Sequence, residues 1–577
     1  EVLAPSPELC ELFDLDLFHA IVVEAVRFAQ GLMLPTNRSA DVFGAQLQQG
    51  EVTTTPGWNE LYQTFIESGW IGLALPESVG GQGLPRSFAR AVWEMWYSTN
   101  LAFAMLPQLN VAQAEALLAT GDSRWEQPWL EKIVSGEWAA TMDLTEPQAG
   151  SDLGATTMRA EPQADGSYRL FGQKIYISFG EHDLTENIIH LVLARVPGAP
   201  DGHRGLSLFL APKYLVDAQG QLAERNDIKC VSIEDKLGVR GSPTCTLVYG
   251  DAGGAEAYRV GELNQGLAQM FVMMNEARQA VALQAVGLSE KAYQLARQFA
   301  RERVQGPVVD RPLEPALAIE HHPDVKRMLL ELRSSTLAMR TLCYSLAAYM
   351  DLADHTHDTA EQERLMDLVQ VLLPIAKGWC TEKASYNSSL AVQVFGGMGY
   401  VEETGIAQVM RDARMLPIFE GTTGIQAKDL LGRKLLRDQG QSIERLLQHI
   451  ETTITALQAN PSLEPTAQAL QQALQSARQA MQGVLATTAT QYSVFAVSVP
   501  FLEMLGVVVG AWQLAQLAVC ADSPTLSRAE GGEYAKGVQQ LWLYYARYEL
   551  PRVQALAQVV QGAGETIEQA NLEWALI

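Results

Sequence analysis

Residues 168–178 read Tyr-Arg-Leu-Phe-Gly-Gln-Lys-Ile-Tyr-Ile-Ser, two short runs of β-branched and aromatic residues around a glycine. Runs of this kind predict strands at 168–171 and 174–178. Residues 188–195, 206–210 and 244–249 repeat the pattern, separated by Gly, Pro, Asp and Asn. One small sheet or barrel over residues 141–255 follows, and the rest of the chain has a different period.

Upstream, Phe13, Leu17, Ile21, Ala25 and Phe28 recur at helical spacing, and the pattern continues to about residue 134. Residues 1–140 therefore form an α domain. Its Gly80-Gly81-Gln82-Gly83 stretch has no strand before it and reads as a turn, not a phosphate loop. Downstream, the stripe Leu267, Met270, Phe271, Met274, Val281, Leu288, Leu295 and Phe299 predicts a long helix over 261–305. Further helices are predicted at 322–352 and 361–395, the last stopped by Gly396-Gly397, so residues 256–436 read as a helix bundle. Residues 437–577 stay helical and Gln-rich, with a break at Asn460-Pro461 and a polar link at 522–527; they read as an appended α-helical domain. The fold class is mainly α with a central β domain.

At 577 residues the chain is long enough for several cores, and 47% hydrophobic with 19% charged residues is globular usage. A net charge of −24 disfavours contact with phosphate backbones, so no nucleic-acid partner is expected. The six cysteines are scattered without a C-x-x-C pair, which gives neither a metal site nor a disulfide framework and fits a cytoplasmic protein. The N-terminus carries no signal-peptide pattern. The most membrane-like stretch, 494–521, is interrupted by Pro500, Glu503, Gln513 and Gln516 and lacks basic residues; a buried helix is expected, with no integral membrane segment.

Chemistry-bearing motifs occur in a fixed order: Leu144-Thr145-Glu146-Pro147-Gln148-Ala149-Gly150-Ser151-Asp152; Tyr176-Ile177-Ser178; Arg303; Gln393-Val394-Phe395-Gly396-Gly397-Met398-Gly399-Tyr400; and Arg411-Asp412-Ala413-Arg414 leading to Phe419-Glu420-Gly421-Thr422-Thr423-Gly424-Ile425-Gln426. Over about residues 60 to 435 the chain resembles the acyl-CoA dehydrogenase family. The stretches Gly180–Asn187, Lys236–Thr244 and Arg301–Gly306, with the extra C-terminal helices, are most similar to its long branch, which includes the 3-methylthiopropionyl-CoA dehydrogenases. The resemblance implies an α domain, a β barrel, a four-helix bundle and a C-terminal α-helical domain, with FAD as cofactor and no metal.

The stretch 145–151 offers two hydroxyls, a glycine and amide donors, suited to flavin edges and a pyrophosphate; a polar turn would look the same. The resemblance assigns Thr145 to the flavin ring and Ser151 to the pyrophosphate and the acyl-CoA. Tyr176 and Ser178 lie two apart on a predicted strand and so share a face, an arrangement that a half-buried strand also produces. The family more often has Trp and Thr at these two positions. By resemblance Arg303, with Gln393, Gly396 and Gly397, reaches the flavin diphosphate of a neighbouring subunit, which implies a homodimer. Where the family has Arg-x-x-Phe-Gly, this chain has Arg303-Val304-Gln305-Gly306. Thr422 and Gly424 are also assigned to the cofactor, and Asn275, Arg278, Phe419 and Gly421 to the substrate, with the helix containing 101–106 beside the acyl tail.

Glu420 follows the apolar run 415–419 and precedes Gly421, Thr422 and Gly424, so a carboxylate stands at an apolar wall. Burial there would raise its pKa and strengthen it as a base. Some relatives carry the base directly before Arg278, where this chain has Ala277; Glu276 is turned by about 100° from that position. The resemblance implies removal of an α proton by Glu420 and a β hydride to the flavin, giving the trans-2-enoyl-CoA. The thioester oxygen would be held by the Glu420 N–H and a flavin ribityl hydroxyl. The resemblance also implies that electrons pass to an electron-transfer flavoprotein, in fatty-acid β-oxidation or in 3-methylthiopropionyl-CoA breakdown. The alternative is a DNA-associated flavoprotein of the same fold, which would need a basic face.

Overall fold

The computed structural model describes residues 14–217, 219–310, 312–313, 315–521 and 532–574; the link expected at 522–527 lies outside them. The chain divides into two compact units, residues 12–280 and residues 281–577.

The first unit opens with helices Leu15–Phe28 and Leu34–Phe43, joined by a π turn, followed by Trp58–Glu67, Arg86–Thr99 and Leu101–Leu118. Asp14 caps the first, accepting from the N–H groups of Asp16 and Leu17. Phe28, Phe65, Trp70 and Trp96 meet edge to face and make the aromatic centre of the helical layer. The Leu101–Leu118 helix is buried on all sides. Its Asn110 Nδ2 donates to the carbonyls of Ile133 and Trp138, both at 2.8 Å, and its Oδ1 accepts from the Ala140 N–H at 3.1 Å, fastening helix to sheet. The Gly80-Gly81-Gln82-Gly83 stretch is a turn, as read from the sequence.

The strands are β1 Gln46–Gln48, β2 Glu51–Thr53, β3 Trp138–Asp143, β4 Arg159–Pro162, β5 Tyr168–Ser178, β6 Asn187–Arg195, β7 Leu206–Pro212, β8 Tyr214–Val216, β9 Leu222–Arg225, β10 Ile228–Ile233, β11 Thr244–Tyr249 and β12 Ala255–Val260. The pairings β4–β5, β5–β12, β12–β7, β7–β6 and β6–β4 close a ring, so the barrel is real. The antiparallel β11 and β10 extend it from β5, and β3 lies parallel to β6. Met158, Leu170, Val192, Phe209 and Leu247 lie in its buried core. The two strands expected at 168–171 and 174–178 are one strand, bent at Gly172, where φ is +146° and two sets of neighbours meet. The β1–β2 hairpin inside the helical region and the strand β3 were not expected. Gln49 and Gly50 both adopt positive φ in a tight turn, and β3, Trp-Ala-Ala-Thr-Met-Asp, is almost wholly buried and so lacks alternation.

The second unit begins within the long helix Gly266–Glu302 and continues with Pro323–His355 and Thr359–Phe395, the helices expected, each a few residues different in extent. Gly396 ends the last at φ +61°. After residue 436 come Gln441–Ala459, Glu464–Ala486, Ser498–Cys520, Glu533–Tyr548 and Arg552–Gly562, among shorter pieces.

Two described helical stretches are long and apolar enough to cross a membrane, Leu15–Phe43 and Ser498–Cys520. For Ser498–Cys520, 78% of the apolar window is buried within the protein, against 22% for Leu15–Phe43, whose length and composition the sequence reading passed over. The Ser498–Cys520 helix packs on Pro323–His355, Thr359–Phe395 and Thr423–Leu431. Glycines make that approach possible. A Cβ at Gly506 would overlap the Trp379 ring, and one at Gly510 would lie 2.6 Å from both Trp379 Cη2 and Tyr545 Oη. Nearby, the buried Lys383 ammonium pairs with Glu549 at 3.0 Å.

Gly506→Val should therefore overpack this seam and destabilise the second unit by about 1–3 kcal/mol or more. A lower thermal midpoint of the purified chain checks it; an unchanged midpoint would mean that Trp379 can move aside.

Candidate active site

The helix Ile406–Ala413 ends in a turn, and the helix Thr423–Leu431 begins after it. Thr422 caps the second helix, its Oγ1 accepting from the Ile425 N–H at 3.3 Å. Between them Glu420 has φ +57° and Gly421 φ +89°. Gly421 adopts that region freely; Glu420 carries about 1–3 kcal/mol of strain, which its surroundings must offset. The groups that do so are buried. Lys377, in the Thr359–Phe395 helix and fully buried, donates from Nζ to the carbonyls of Leu416 at 3.0 Å and Gly421 at 2.6 Å. Gln426 Nε2 donates to the Glu420 carbonyl at 3.2 Å. Thr423 Oγ1 donates to Glu382 at 2.6 Å. Phe419, Glu420, Gly421 and Thr422 thus share one tightly held loop, with Gly424 in the first turn of the helix that follows.

The apolar wall expected from 415–419 is only partial. Leu416 and Pro417 are buried, Phe419 and Glu420 are half-buried, and Ile418 is 54% exposed. A turn cannot place five successive side chains on one side, which is the reason for the difference.

Elsewhere in the second unit, Phe299 stacks on Phe395 with centroids 4.3 Å apart. That contact joins the end of one long helix to the end of another, and brings Arg303 to the same end of the unit as Gln393, Gly396 and Gly397. All four are exposed, and nothing lies within 4 Å of a Cβ built at either glycine. Arg303 Nη2 meets Gln305 Oε1 at 3.3 Å.

In the first unit, Thr145 is half-buried and Ser151 exposed. The Thr145 carbonyl accepts from the Ile175 N–H at 2.9 Å, tying the 145–151 loop to β5 beside Tyr176 and Ser178. Tyr176 itself departs from the regular strand that the sequence implied. Its φ is +60°, and the pairing of β5 with β11 shifts register around it, a β-bulge. The bulge leaves the Tyr176 ring 61% exposed beside the half-buried Ser178, while Ile177 turns into the core.

Beneath this surface lies an ion pair that sequence reasoning missed. Lys174 Nζ donates to Glu146 Oε1 and to the Leu144 carbonyl, both at 2.9 Å. Neither side chain is more than 2% exposed. Glu146 also accepts from the Thr157 N–H and hydroxyl at 2.8 Å and from the Met158 N–H at 3.2 Å. Burial pushes the Glu146 carboxyl up, but Lys174 and Thr157 outweigh it and hold it below the usual carboxylate range. Lys174 directly before the run Ile175-Tyr176-Ile177 was the only available signal for the lysine, and nothing marked its partner.

Arg278 and Asn275 form a pair of their own, Nη1 donating to Oδ1 at 3.2 Å. Arg278 is only 8% exposed and lies over the Phe271 ring. Glu276 is occupied: both its oxygens take Arg90 Nη2 at 2.6 Å, with both side chains buried. That pairing, more than its angle on the helix, removes it as a rival base.

Four family models match in chain order: acyl-CoA dehydrogenase N-terminal domain at 20–137, middle domain at 141–252, C-terminal domain at 264–436, and acetyl-CoA dehydrogenase C-terminal like at 446–570. The chain is 44% identical over 525 residues to 3-methylmercaptopropionyl-CoA dehydrogenase of Ruegeria pomeroyi, covering 90% of this chain and 88% of that protein. It is 32% identical over 571 residues to the broad-specificity linear acyl-CoA dehydrogenase FadE5 of Mycobacterium tuberculosis, covering 95% and 92%. Among solved structures, the FAD complex of an acyl-CoA dehydrogenase from Bacillus anthracis aligns with TM-score 0.75 at 20% identity, covering 96% of this chain and 89% of that one. Caenorhabditis elegans ACDH-11 with C11-CoA aligns with TM-score 0.74 at 20% identity, covering 97% and 93%. At that identity the two structures speak for the fold alone.

Glu146→Gln leaves the buried Lys174 ammonium without its counter-charge and should cost about 3–5 kcal/mol at neutral pH. A carboxylate held below its ordinary value stabilises above the unfolded pKa, near about 4.3, and loses that contribution as pH falls through the folded value. Thermal midpoints of the two proteins should therefore differ at pH 7 and converge in acid; a gap independent of pH would refute the assignment.

Proposed function

The chain belongs to the acyl-CoA dehydrogenase family and is an enzyme of that class, and from that membership we propose that it oxidises the α and β carbons of a short acyl-CoA thioester, 3-methylmercaptopropionyl-CoA first among them. The observation that carries this reading is Glu420, a carboxylate kept half-buried in a strained left-handed conformation beside Gly421. Strain of that kind persists only where the surroundings enforce it, and it gathers at functional sites.

FAD is the cofactor of this reading, and the residues fit it. The exposed Tyr176 ring and neighbouring Ser178 suit a flat heteroaromatic ring, and the Thr145 and Ser151 hydroxyls suit its polar edges. When bound, FAD supplies the two-electron acceptor that receives the β hydride. Glu420 removes the α proton, and its backbone N–H holds the thioester oxygen as negative charge grows there. Atoms balance: the saturated thioester loses one proton and one hydride and becomes the trans-2-enoyl thioester. Arg278, buried and oriented by Asn275, presents a fixed cation to the CoA portion.

The surface exposure of Arg303, Gln393, Gly396 and Gly397 supports a homodimer in which they reach the partner's diphosphate. The acceptor of the electrons is an electron-transfer flavoprotein in this reading. Cytoplasmic residence is supported by the cysteines Cys230, Cys245, Cys343 and Cys380, none of them in a disulfide among the described residues.

Anaerobic titration of the holoenzyme with acyl-CoAs of graded length and with 3-methylmercaptopropionyl-CoA tests the reading. Bleaching of the flavin is expected, strongest with the methylthio substrate; no bleaching by any thioester would overturn the reaction and favour a non-dehydrogenase flavoprotein. Glu420→Gln should retain FAD while turnover falls by about 10²–10⁴-fold, and near-normal turnover would remove Glu420 as the base.

A further inference from the structure

We propose that Lys377 is a positioning residue for the reaction: its buried ammonium locks the backbone of the 416–422 turn and thereby sets where the Glu420 carboxylate stands. The inference rests on the reading of Glu420 as the base. Its physical ground lies in the turn itself. The Leu416 carbonyl is inside the protein and that of the half-buried Gly421 is partly so, and an unmet acceptor there is costly. Both accept from one atom, Lys377 Nζ, at 3.0 and 2.6 Å, and Gln426 Nε2 adds only a longer contact of 3.5 Å to the Gly421 carbonyl. That atom sits on the rigid Thr359–Phe395 helix, so two points of the turn, five residues apart, are referred to one fixed position.

The orientation of the peptide planes follows. An amide is planar and trans, so a carbonyl held inward sends the N–H of the same peptide outward. Lys377 holds the Gly421 carbonyl, and Gln426 holds that of Glu420 at 3.2 Å. The Thr422 N–H consequently faces away from the buried ammonium, and the Gly421 N–H away from the Gln426 amide. The positive φ of Glu420, +57°, is the conformation that satisfies this arrangement. Without the ammonium the turn is free to relax toward negative φ, which swings the carboxylate away. Proton abstraction depends steeply on that geometry, whereas binding of a long CoA ester draws on many distant contacts.

Lys377→Met keeps length and removes the donor, and Lys377→Arg keeps donors. Both are to be compared with wild-type holoenzyme by hydrogen–deuterium exchange over 416–426 and by rapid-reaction flavin bleaching at graded acyl-CoA concentration. In Lys377→Met, exchange should rise in this segment alone. Bleaching at saturation should slow by about 100-fold, while the half-saturating concentration stays within about 3-fold; Lys377→Arg should recover most of the rate. Unchanged exchange and rate, or a loss shared equally between rate and affinity, would overturn the proposal. Should Lys377→Met fail to accumulate as holoenzyme, Lys377→Gln replaces it, and a wild-type bleaching rate in that variant overturns the role; failure of both marks Lys377 as a folding requirement only and overturns it equally. If wild type bleaches with no thioester yet exchange over 416–426 still responds to Lys377→Met, the reaction assigned above fails while the hold on the turn stands.

Discussion

A turn cannot pair every backbone group within itself as a helix or strand does, and the inward carbonyls left over must find donors from elsewhere. That constraint is met by a buried lysine in each unit. In the second, Lys377 takes the carbonyls of Leu416 and Gly421. In the first, Lys174 takes the carbonyl of Leu144 and the carboxylate of Glu146. Both lysines belong to rigid elements, a long helix and a barrel strand. The loops they hold, 416–422 and 145–151, carry the residues assigned to base and cofactor.

Taking an ammonium out of water costs several kcal/mol, so such a group is stable only with acceptors arranged around it. Here the acceptors are the loops themselves. The cost of burial is offset only when the loop is correctly folded, and the ammonium thereby selects one loop conformation from many. Glu420 at φ +57° and Tyr176 at φ +60° are non-glycine residues in strained backbone beside these loops: the Glu420 carbonyl is held by Gln426, and next to Tyr176 the Ile175 N–H donates to the Thr145 carbonyl.

The helices beyond residue 436 extend the same packing. Ser498–Cys520 is apolar enough to pass for a membrane span, yet most of its apolar window is covered by protein. Two glycines on one face let it close on Trp379, which stands one position beyond Gly378 on the helix that also bears Lys377. The C-terminal segment therefore braces the helix that bears Lys377.

Much was legible beforehand because it depends on local pattern. Helical stripes located Gly266–Glu302, Pro323–His355 and Thr359–Phe395, and clustered β-branched residues located β5, β6, β7 and β11, since side-chain period is a property of the sequence. The buried nature of Ser498–Cys520 was legible too, because its Pro, Glu and Gln residues suit a protein interior better than lipid. Motif order pointed to Glu420, Thr145, Ser151 and Arg303 as candidates. The pairs that hold them were hidden. Lys174 with Glu146, and Lys377 with Gly421, are separated by 28 and 44 residues, and no local pattern announces a partner at that distance. The bulge at Tyr176 lies in the pairing of β5 with β11, and Gly172 stands where β5 passes from β12 to β11 as its neighbour; both depend on strands distant in sequence. Sequence alone determined which residues could do chemistry, because chemistry belongs to the side chain. Only the tertiary structure decided the backbone conformation in which they are presented, because that is imposed by distant groups that must satisfy one another inside the protein.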